Sequence, residues 1–137
     1  MKTFVRALSL TLVAVMLCAV LASCGGPAKD PADAVAALKE NGYVAAEDKV
    51  AIPAALKLLG VNGVKSVVSG SATVEEKFQT VTIVYFDDKD AAKTAMEKLE
   101  KYASDEKDDK VEESDWVVKQ SGAMIYFGTK AAVKAAK

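Results

Sequence analysis

Two twelve-residue segments in the second half of the chain set the strongest constraint on its fold. Residues 84–95 read VYFDDKDAAKTA and residues 125–136 read IYFGTKAAVKAA, and six of the twelve positions are identical at an offset of 41. In each segment, an apolar and aromatic stretch typical of a β-strand runs into an alanine-rich and lysine-rich stretch typical of a helix. Asp88 and Thr129 stand at the two junctions, and both residue types favour the N-cap position of a helix.

A second strand-like stretch precedes each of these segments. The four strand-like stretches cover residues 64–72, 78–86, 113–120 and 123–128. A turn separates the two members of each pair, which is typical of β-hairpins. The sequence therefore predicts two ββα units, about 64–103 and 111–137, that form one four-stranded antiparallel sheet. The alternative to a true repeat is convergence of two unrelated segments on good strand and helix chemistry.

The predicted strands are apolar on both faces. Successive side chains of a strand point to opposite faces, so Ile83 and Tyr85 share one face while Val84 lies on the other. Neither face is polar enough to lie bare in water. We expect the helices at 89–103 and 130–137 to cover one face and two N-terminal helices to cover the other. A dimer or a bound ligand is the alternative cover.

The two N-terminal helices are predicted from the signals at their ends. The first starts with Asp-Pro at residues 30–31, an N-cap followed by a favourable first helical residue, and stops at Asn-Gly at residues 41–42. The second is short and covers about residues 53–59. The predicted fold class is therefore α+β, with two N-terminal helices followed by the two ββα units in a single domain over residues 31–137, and with helices packed on the sheet.

The chain contains no histidine. Histidine is the commonest general base and a common zinc ligand, so its absence excludes Ser-His-Asp and Cys-His catalytic arrangements. A carboxylate pair or a Ser-Lys arrangement remains possible, but no motif singles one out. The sequence therefore predicts no catalytic residue, no cofactor and no metal site.

The first part of the chain has a different pattern. Lys2 and Arg6 precede a run of 16 residues, 7–22, that carries no charge. A permanent transmembrane helix needs roughly 20 apolar residues, so the run is short for that role. A positive start, an apolar middle and small residues at the end are typical of a secretory signal peptide. The run ends in Leu21-Ala22-Ser23-Cys24.

This ending resembles the lipobox of bacterial lipoproteins, in which a leucine and two small residues precede an invariant cysteine; Ser23 departs from the commoner glycine or alanine. The resemblance implies diacylglyceryl transfer to the Cys24 sulfur, cleavage before Cys24, and anchoring to the extracytoplasmic side of the cell membrane by acyl chains such as palmitate. Residues 1–23 are then removed, and residues 24–30 are expected to form a lipidated, flexible tether. The alternative is an uncleaved anchor helix. The rest of the chain is similar to uncharacterised small bacterial lipoproteins, which imply no activity.

Processing at Cys24 changes the charge and cysteine counts. The whole chain has 18 basic and 19 acidic residues, and residues 1–23 carry two basic and no acidic ones, which leaves 16 against 19 and a net charge of −3. This mild acidity gives no footprint for nucleic acid and no polybasic attraction to anionic lipid. Cys18 is removed and Cys24 is acylated, so no thiol is left for a disulfide. The expected partners are the membrane, through the lipid anchor, and an unidentified protein or small molecule.

Two further features invite a functional interpretation. Residues 104–115 carry seven acidic residues, but they lack the order of a calcium-binding loop and contain no glycine, so a solvated loop is expected. Trp116 is the only tryptophan; it either packs in the core with its indole N–H at the rim, or forms a binding rim that stacks on a sugar or a peptide. The sequence favours a membrane-tethered extracytoplasmic lipoprotein that acts as a binding or protein-interaction module. The alternatives are a histidine-independent envelope enzyme that uses carboxylates or lysine, and a purely structural envelope protein.

Overall fold

The structure is a computed structural model that describes residues 26–137. The predicted signal peptide and Cys24 lie outside the described residues. Along the chain, the elements are α1 (Pro31–Glu40), β1 (Val44–Asp48), α2 (Ala51–Leu58), β2 (Val64–Val74), β3 (Lys77–Phe86), α3 (Lys89–Glu106), a 3-10 turn (Glu113–Asp115), β4 (Trp116–Ser121), β5 (Met124–Thr129) and α4 (Lys130–Ala135). None of the helices within residues 26–137 has the length and apolar character needed to cross a membrane. The predicted α+β class is confirmed.

The five strands form one antiparallel sheet in the order β1-β2-β3-β5-β4. The predicted count of four strands is wrong, because β1 adds a fifth strand at the edge beside β2. The predicted order of elements along the chain, with two consecutive N-terminal helices, is also wrong, because β1 lies between α1 and α2. The β1 sequence, VAAED, has a low intrinsic strand propensity. Pairing with β2, from Val44↔Ser71 to Asp48↔Val67, holds this strand in place.

Strands β3 and β5 form the centre of the sheet. Three consecutive pairs of their ladder are Ile83↔Tyr126, Val84↔Ile125 and Tyr85↔Met124. Val84 and Ile125 occupy equivalent positions in the two sequence segments, at the offset of 41. Ile83 is likewise equivalent to Met124, and Tyr85 is equivalent to Tyr126. The offset therefore converts the pair Ile83↔Tyr126 into the pair Tyr85↔Met124. The pairing of the two central strands is therefore symmetric about Val84 and Ile125.

Both faces of the sheet are buried by elements of the same chain. The first face is lined by Val68, Val81, Ile83, Tyr85, Met124 and Tyr126. The second face is lined by Val67, Val84, Phe86, Ile125 and Phe127. The predicted assignment of alternate residues to opposite faces is confirmed. Burial of each large apolar side chain stabilises the fold by about 1.5–3 kcal/mol, so neither face is left open at its centre.

The helices cover the two faces in a different combination from the predicted one. Helices α1 and α4 pack on the first face, through residues that include Leu38 and Val133. Helices α2 and α3 pack on the second face, through residues that include Leu56 and Leu99. The prediction that α3 and α4 share a face is wrong, and so is the prediction that both N-terminal helices cover the opposite one.

The difference between α3 and α4 arises where the two segments leave the sheet. Strand β3 ends before Asp88, which caps α3 by accepting a hydrogen bond from the Ala91 N–H at 2.7 Å. Strand β5 continues through Gly128 and Thr129. Thr129 makes no capping bond; its Oγ1 instead accepts a hydrogen bond from the Thr80 N–H at 3.2 Å. Helix α4 therefore starts directly from the last residue of β5, whereas α3 starts beyond the end of β3, and the two helices pack on opposite faces of the sheet.

Gly128→Ala is expected to destabilise the fold strongly. A Cβ atom at this position would clash with the Thr80 carbonyl oxygen and lie 2.7 Å from the Val81 Cα, at a φ of +151° that L residues rarely adopt. Because β3 and β5 would have to separate, we expect the free energy of unfolding in urea to fall by about 3 kcal/mol or more. Gly122→Ala is the control, since its φ is also positive, at +59°, but no atom lies within 4 Å of an added Cβ. A loss of about 1–2 kcal/mol is expected there, and equal losses in the two variants would contradict the close approach of the central strands.

Candidate functional site

A cleft of about 770 Å³ lies at the end of the sheet where β1 and β3 end and β2 begins. The turn between β4 and β5 and the start of α1 complete its walls. Its apolar lining includes Pro31, Phe86, Ala123 and Met124. The volume falls within the range of small-molecule sites, roughly 300–1,000 Å³. A second hollow, of about 400 Å³, lies beside the loop that follows α3.

The cleft carries both signs of charge. Its charged lining residues are Lys29, Asp30, Glu47, Lys49, Lys65 and Asp87. Asp30 Oδ1 accepts a hydrogen bond from the Ala32 N–H at 2.8 Å and so caps α1. Glu47 lies 3.8 Å from the Lys49 ammonium. Three of the six charged side chains, those of Asp30, Glu47 and Lys49, are therefore already paired with groups on the protein.

The other three charged side chains are exposed and uncommitted. Lys29, Lys65 and Asp87 form no side-chain ion pair or hydrogen bond with the rest of the described chain. The cleft thus offers two ammonium groups and one carboxylate beside apolar walls. This arrangement suits a ligand that combines an anionic group with an apolar body.

An N-terminal strap, residues 26–30, crosses the first face of the sheet and leads into the cleft. Pro27 is buried. The Ala28 N–H donates to the Ala136 carbonyl oxygen at 3.0 Å, and the Ala28 carbonyl oxygen accepts a hydrogen bond from the Tyr85 hydroxyl at 2.7 Å. The sequence predicts a flexible tether here, and the strap is instead packed on the fold.

Tyr85 connects the strap to the floor of the cleft. Burial raises the pKa of its phenol well above the ordinary value of 10.0, and the negative charges of Asp30, Glu47 and Asp33 raise it further. The hydroxyl therefore stays protonated and donates to Ala28. Above about pH 10 the unfolded chain ionises at this position while the folded chain does not, so the stability contributed by Tyr85 is present below that pH and lost above it.

The cleft contains a buried serine, Ser66, of the kind that a Ser-Lys enzyme would use as its nucleophile. Ser66 lies buried in its lining, but no hydrogen bond within residues 26–137 joins the Ser66 hydroxyl to a lysine or a carboxylate. A serine nucleophile needs such a base beside it. In the same part of the chain, no three acidic, cysteine or histidine side chains are grouped so as to hold a metal ion.

Trp116 lies away from the cleft. It pairs with Thr129, at the opposite end of β5 from Met124, which lines the cleft. Its ring packs against Phe127 with the ring centroids 6.4 Å apart. The indole N–H is buried and has no acceptor within the described residues, so the expectation that it lies at the rim is wrong. The hypothesis of a binding rim at Trp116 stays a prediction.

The acidic residues 104–115 do not form one continuous loop. Helix α3 extends to Glu106, and Glu113–Asp115 form a 3-10 turn. Between them, the Lys107 ammonium donates to the Val111 carbonyl oxygen at 3.0 Å and lies 3.3 Å from the Glu113 carboxylate. Lys107 therefore competes with any bound cation for a carboxylate of this stretch.

Sequence analysis missed the cleft because five separate elements build it. One signal was nevertheless present. Lys65 stands near the start of a predicted strand and Asp87 directly follows the next one, and the two ends of an antiparallel hairpin opposite its turn lie side by side. The observed pair Val64↔Phe86 brings those ends together.

Tyr85→Phe is expected to reduce the free energy of unfolding by about 1–2 kcal/mol, because the Ala28 carbonyl oxygen loses its hydrogen bond in a half-buried place. Tyr126→Phe is the matched control: Tyr126 lies on the same face, but its hydroxyl has no hydrogen bond with the described residues. Its loss should stay within about 0.5 kcal/mol. Urea denaturation measures both variants, and an equal effect would mean that the Tyr85–Ala28 bond does not stabilise the strap.

The chain matches no protein-family model, no curated protein and no solved structure closely enough to identify a relative.

Proposed function

We propose that this chain is a membrane-tethered extracytoplasmic lipoprotein that binds a small ligand in the cleft. Two features support the tether: the short uncharged run at residues 7–22 and the lipobox-like ending at Cys24. Two acyl chains hold a protein stably on a bilayer, because each buried methylene contributes about 0.8 kcal/mol. A lipid on Cys24 supplies such an anchor without a transmembrane helix.

The cleft supports the binding role. The observation that carries this part of the proposal is the pair of exposed ammonium groups of Lys29 and Lys65, which have no partner on the described chain, beside the partly exposed apolar residues Pro31 and Ala123. An anionic group on a ligand can pair with either lysine, and an apolar body can displace water from the walls. The remaining carboxylate, Asp87, adds a place for a hydrogen-bond donor.

Binding is favoured over catalysis because nothing within residues 26–137 assembles an activated nucleophile. The buried Ser66 has no base in hydrogen-bond contact, and histidine is absent from the whole chain. A carboxylate-based or lysine-based enzyme would need an acid and a base facing each other across a reacting atom. In the cleft, Asp30 and Glu47 are instead paired with an α1 amide and with Lys49.

Cys24→Ala is expected to release the protein from membranes, because the acyl chains have no other attachment point. Fractionation of cells into membrane and soluble parts measures the change, and mass spectrometry of the wild-type protein identifies the acyl group on Cys24. Ser23→Ala is the control, since it keeps a small residue before the cysteine and should leave the protein anchored. A Cys24→Ala variant that stays in the membrane fraction, with no acyl group on the wild type, would contradict the lipoprotein proposal.

The binding role predicts a preference for anionic apolar probes. We expect hexanoate, but not hexylammonium, to shift the backbone amide resonances of Lys65, Asp87 and Gly122. Substitution of both Lys29 and Lys65 by glutamine should weaken hexanoate binding at least about fivefold, which corresponds to roughly 1 kcal/mol for the lost charge pairing. Lys57→Gln, on the exposed side of α2, should change nothing. Equal binding of both probes, or shifts confined to residues outside the cleft, would contradict the proposed site.

A further inference from the structure

The end of the chain carries a local excess of positive charge. Residues 116–137 contain four lysines and no acidic residue, although the chain as a whole has a net charge of −1. Three of these lysines, Lys119, Lys130 and Lys134, are exposed. Strands β4 and β5 and helix α4 therefore form a locally cationic surface, although the net charge of the whole chain is slightly negative.

These lysines lie on one side of the molecule. Lys119 pairs with Tyr126, whose side chain lies on the first face, and cross-strand partners share a face. Helix α4, which carries Lys130 and Lys134, packs on the same face. We call Lys29, Lys119, Lys130 and Lys134 the lysine face. Acidic residues on this side include Asp30, Asp33, Glu40 and Glu47, which stand on the strap, α1 and β1, whereas β4, β5 and α4 carry none.

The strap places the membrane anchor beside the lysine face. Gly26 lies against the Tyr126 ring, because a Cβ added to it would be 2.8 Å from Tyr126 Cε1. Tyr126 is the cross-strand neighbour of Lys119 on the edge strand β4. Only Cys24 and Gly25 separate the proposed lipid from Gly26, and two residues span at most about 7 Å. The lipid attachment point therefore stays within about 7 Å of the docked part of the strap.

We propose that the lysine face docks on an anionic lipid surface, with the packed strap holding the domain in one orientation. This inference rests on the proposed lipidation of Cys24. Two independent observations support it: the strap is fixed by hydrogen bonds at Ala28, and the part of the face that residues 116–137 form next to it carries lysines and no acidic residue. At physiological ionic strength the screening length is about 8 Å, similar to the reach of Cys24 and Gly25, so charges beside the docked part of the strap are not fully screened from head groups at the lipid attachment point. Helix α3 packs on the opposite face, and residues 89–115, which form α3 and the stretch after it, carry ten acidic residues against six lysines.

The orientation can be measured with matched spin labels on the acylated, processed protein. Its single cysteine is blocked by lipid, so Ala131→Cys on α4 and Ala55→Cys on α2 can each be labelled alone; both alanines are exposed. The protein is placed on phosphatidylcholine vesicles that contain phosphatidylglycerol and a nickel-chelating lipid. We expect relaxation of the label at position 131 to exceed that at position 55 by at least about threefold, since packed layers about 10 Å thick separate the two sides of the sheet.

Two further variants separate the causes. Lys119→Gln combined with Lys134→Gln should reduce the difference between the labels, whereas Lys57→Gln combined with Lys93→Gln, which changes the net charge equally on the other side, should not. A Gly-Ser spacer inserted between Cys24 and Gly26 keeps the anchor and should also shrink the difference. Omission of phosphatidylglycerol from the vesicles should also reduce the difference in relaxation between the two labels.

The outcomes distinguish this inference from the proposal on which it rests. An acyl group on Cys24 together with equal relaxation at positions 131 and 55 would overturn the docking surface and leave the lipoprotein proposal standing. Stronger relaxation at position 55 would overturn the docking surface in the same way. Absence of an acyl group on Cys24, found by mass spectrometry before labelling, would overturn the proposed tether and the docking surface together.

Discussion

The structure depends on one pair of strands, β3 and β5, that is apolar on both faces. At its centre, Val84 and Ile125 point to one side while their neighbours Ile83 and Tyr126 point to the other, and all four are nearly or fully buried. A strand pair of this kind cannot face water on either side, because each large apolar side chain left exposed reduces the free energy of unfolding by about 1.5–3 kcal/mol. The helices of the chain bury both faces of this strand pair. Helices α1 and α4 cover one face, and α2 and α3 cover the other.

The need to bury the first face also explains why the strap packs against the sheet. The first face needs more than α1 and α4, and residues 26–30 fill the space beside Ala136 and Tyr85. The strap is therefore part of the fold and not a spacer in front of it. If Cys24 is acylated as we propose, the membrane anchor is joined almost directly to the core of the domain. In that case, the contacts that complete the first face also fix the orientation of the cleft relative to the membrane.

The sequence predicts the parts of the fold that local patterns determine. Alternation places Ile83 and Val84 on opposite faces, and the Asp88 cap starts α3 where expected. Two predictions failed because non-local contacts decide them. Strand β1 forms from a weak strand sequence because β2 pairs with it, and α4 lies opposite α3 because Gly128 and Thr129 remain in the sheet while their counterparts leave it. The cleft was missed for the same reason, since strand ends and a turn from distant parts of the sequence meet there. The lipid anchor is a different case: it rests on residues before Gly26, and it stays a prediction.

The packing of the strap is the central claim, because it joins the covered sheet, the cleft and the proposed anchor. Amide hydrogen exchange at Ala28 tests it most directly. The Ala28 N–H is bonded to the Ala136 carbonyl oxygen at 3.0 Å, so its exchange should be slowed to a degree comparable with amides of β5 such as that of Phe127. Exchange of the Ala28 amide at the rate of an unstructured peptide, with β5 fully protected, would contradict the account.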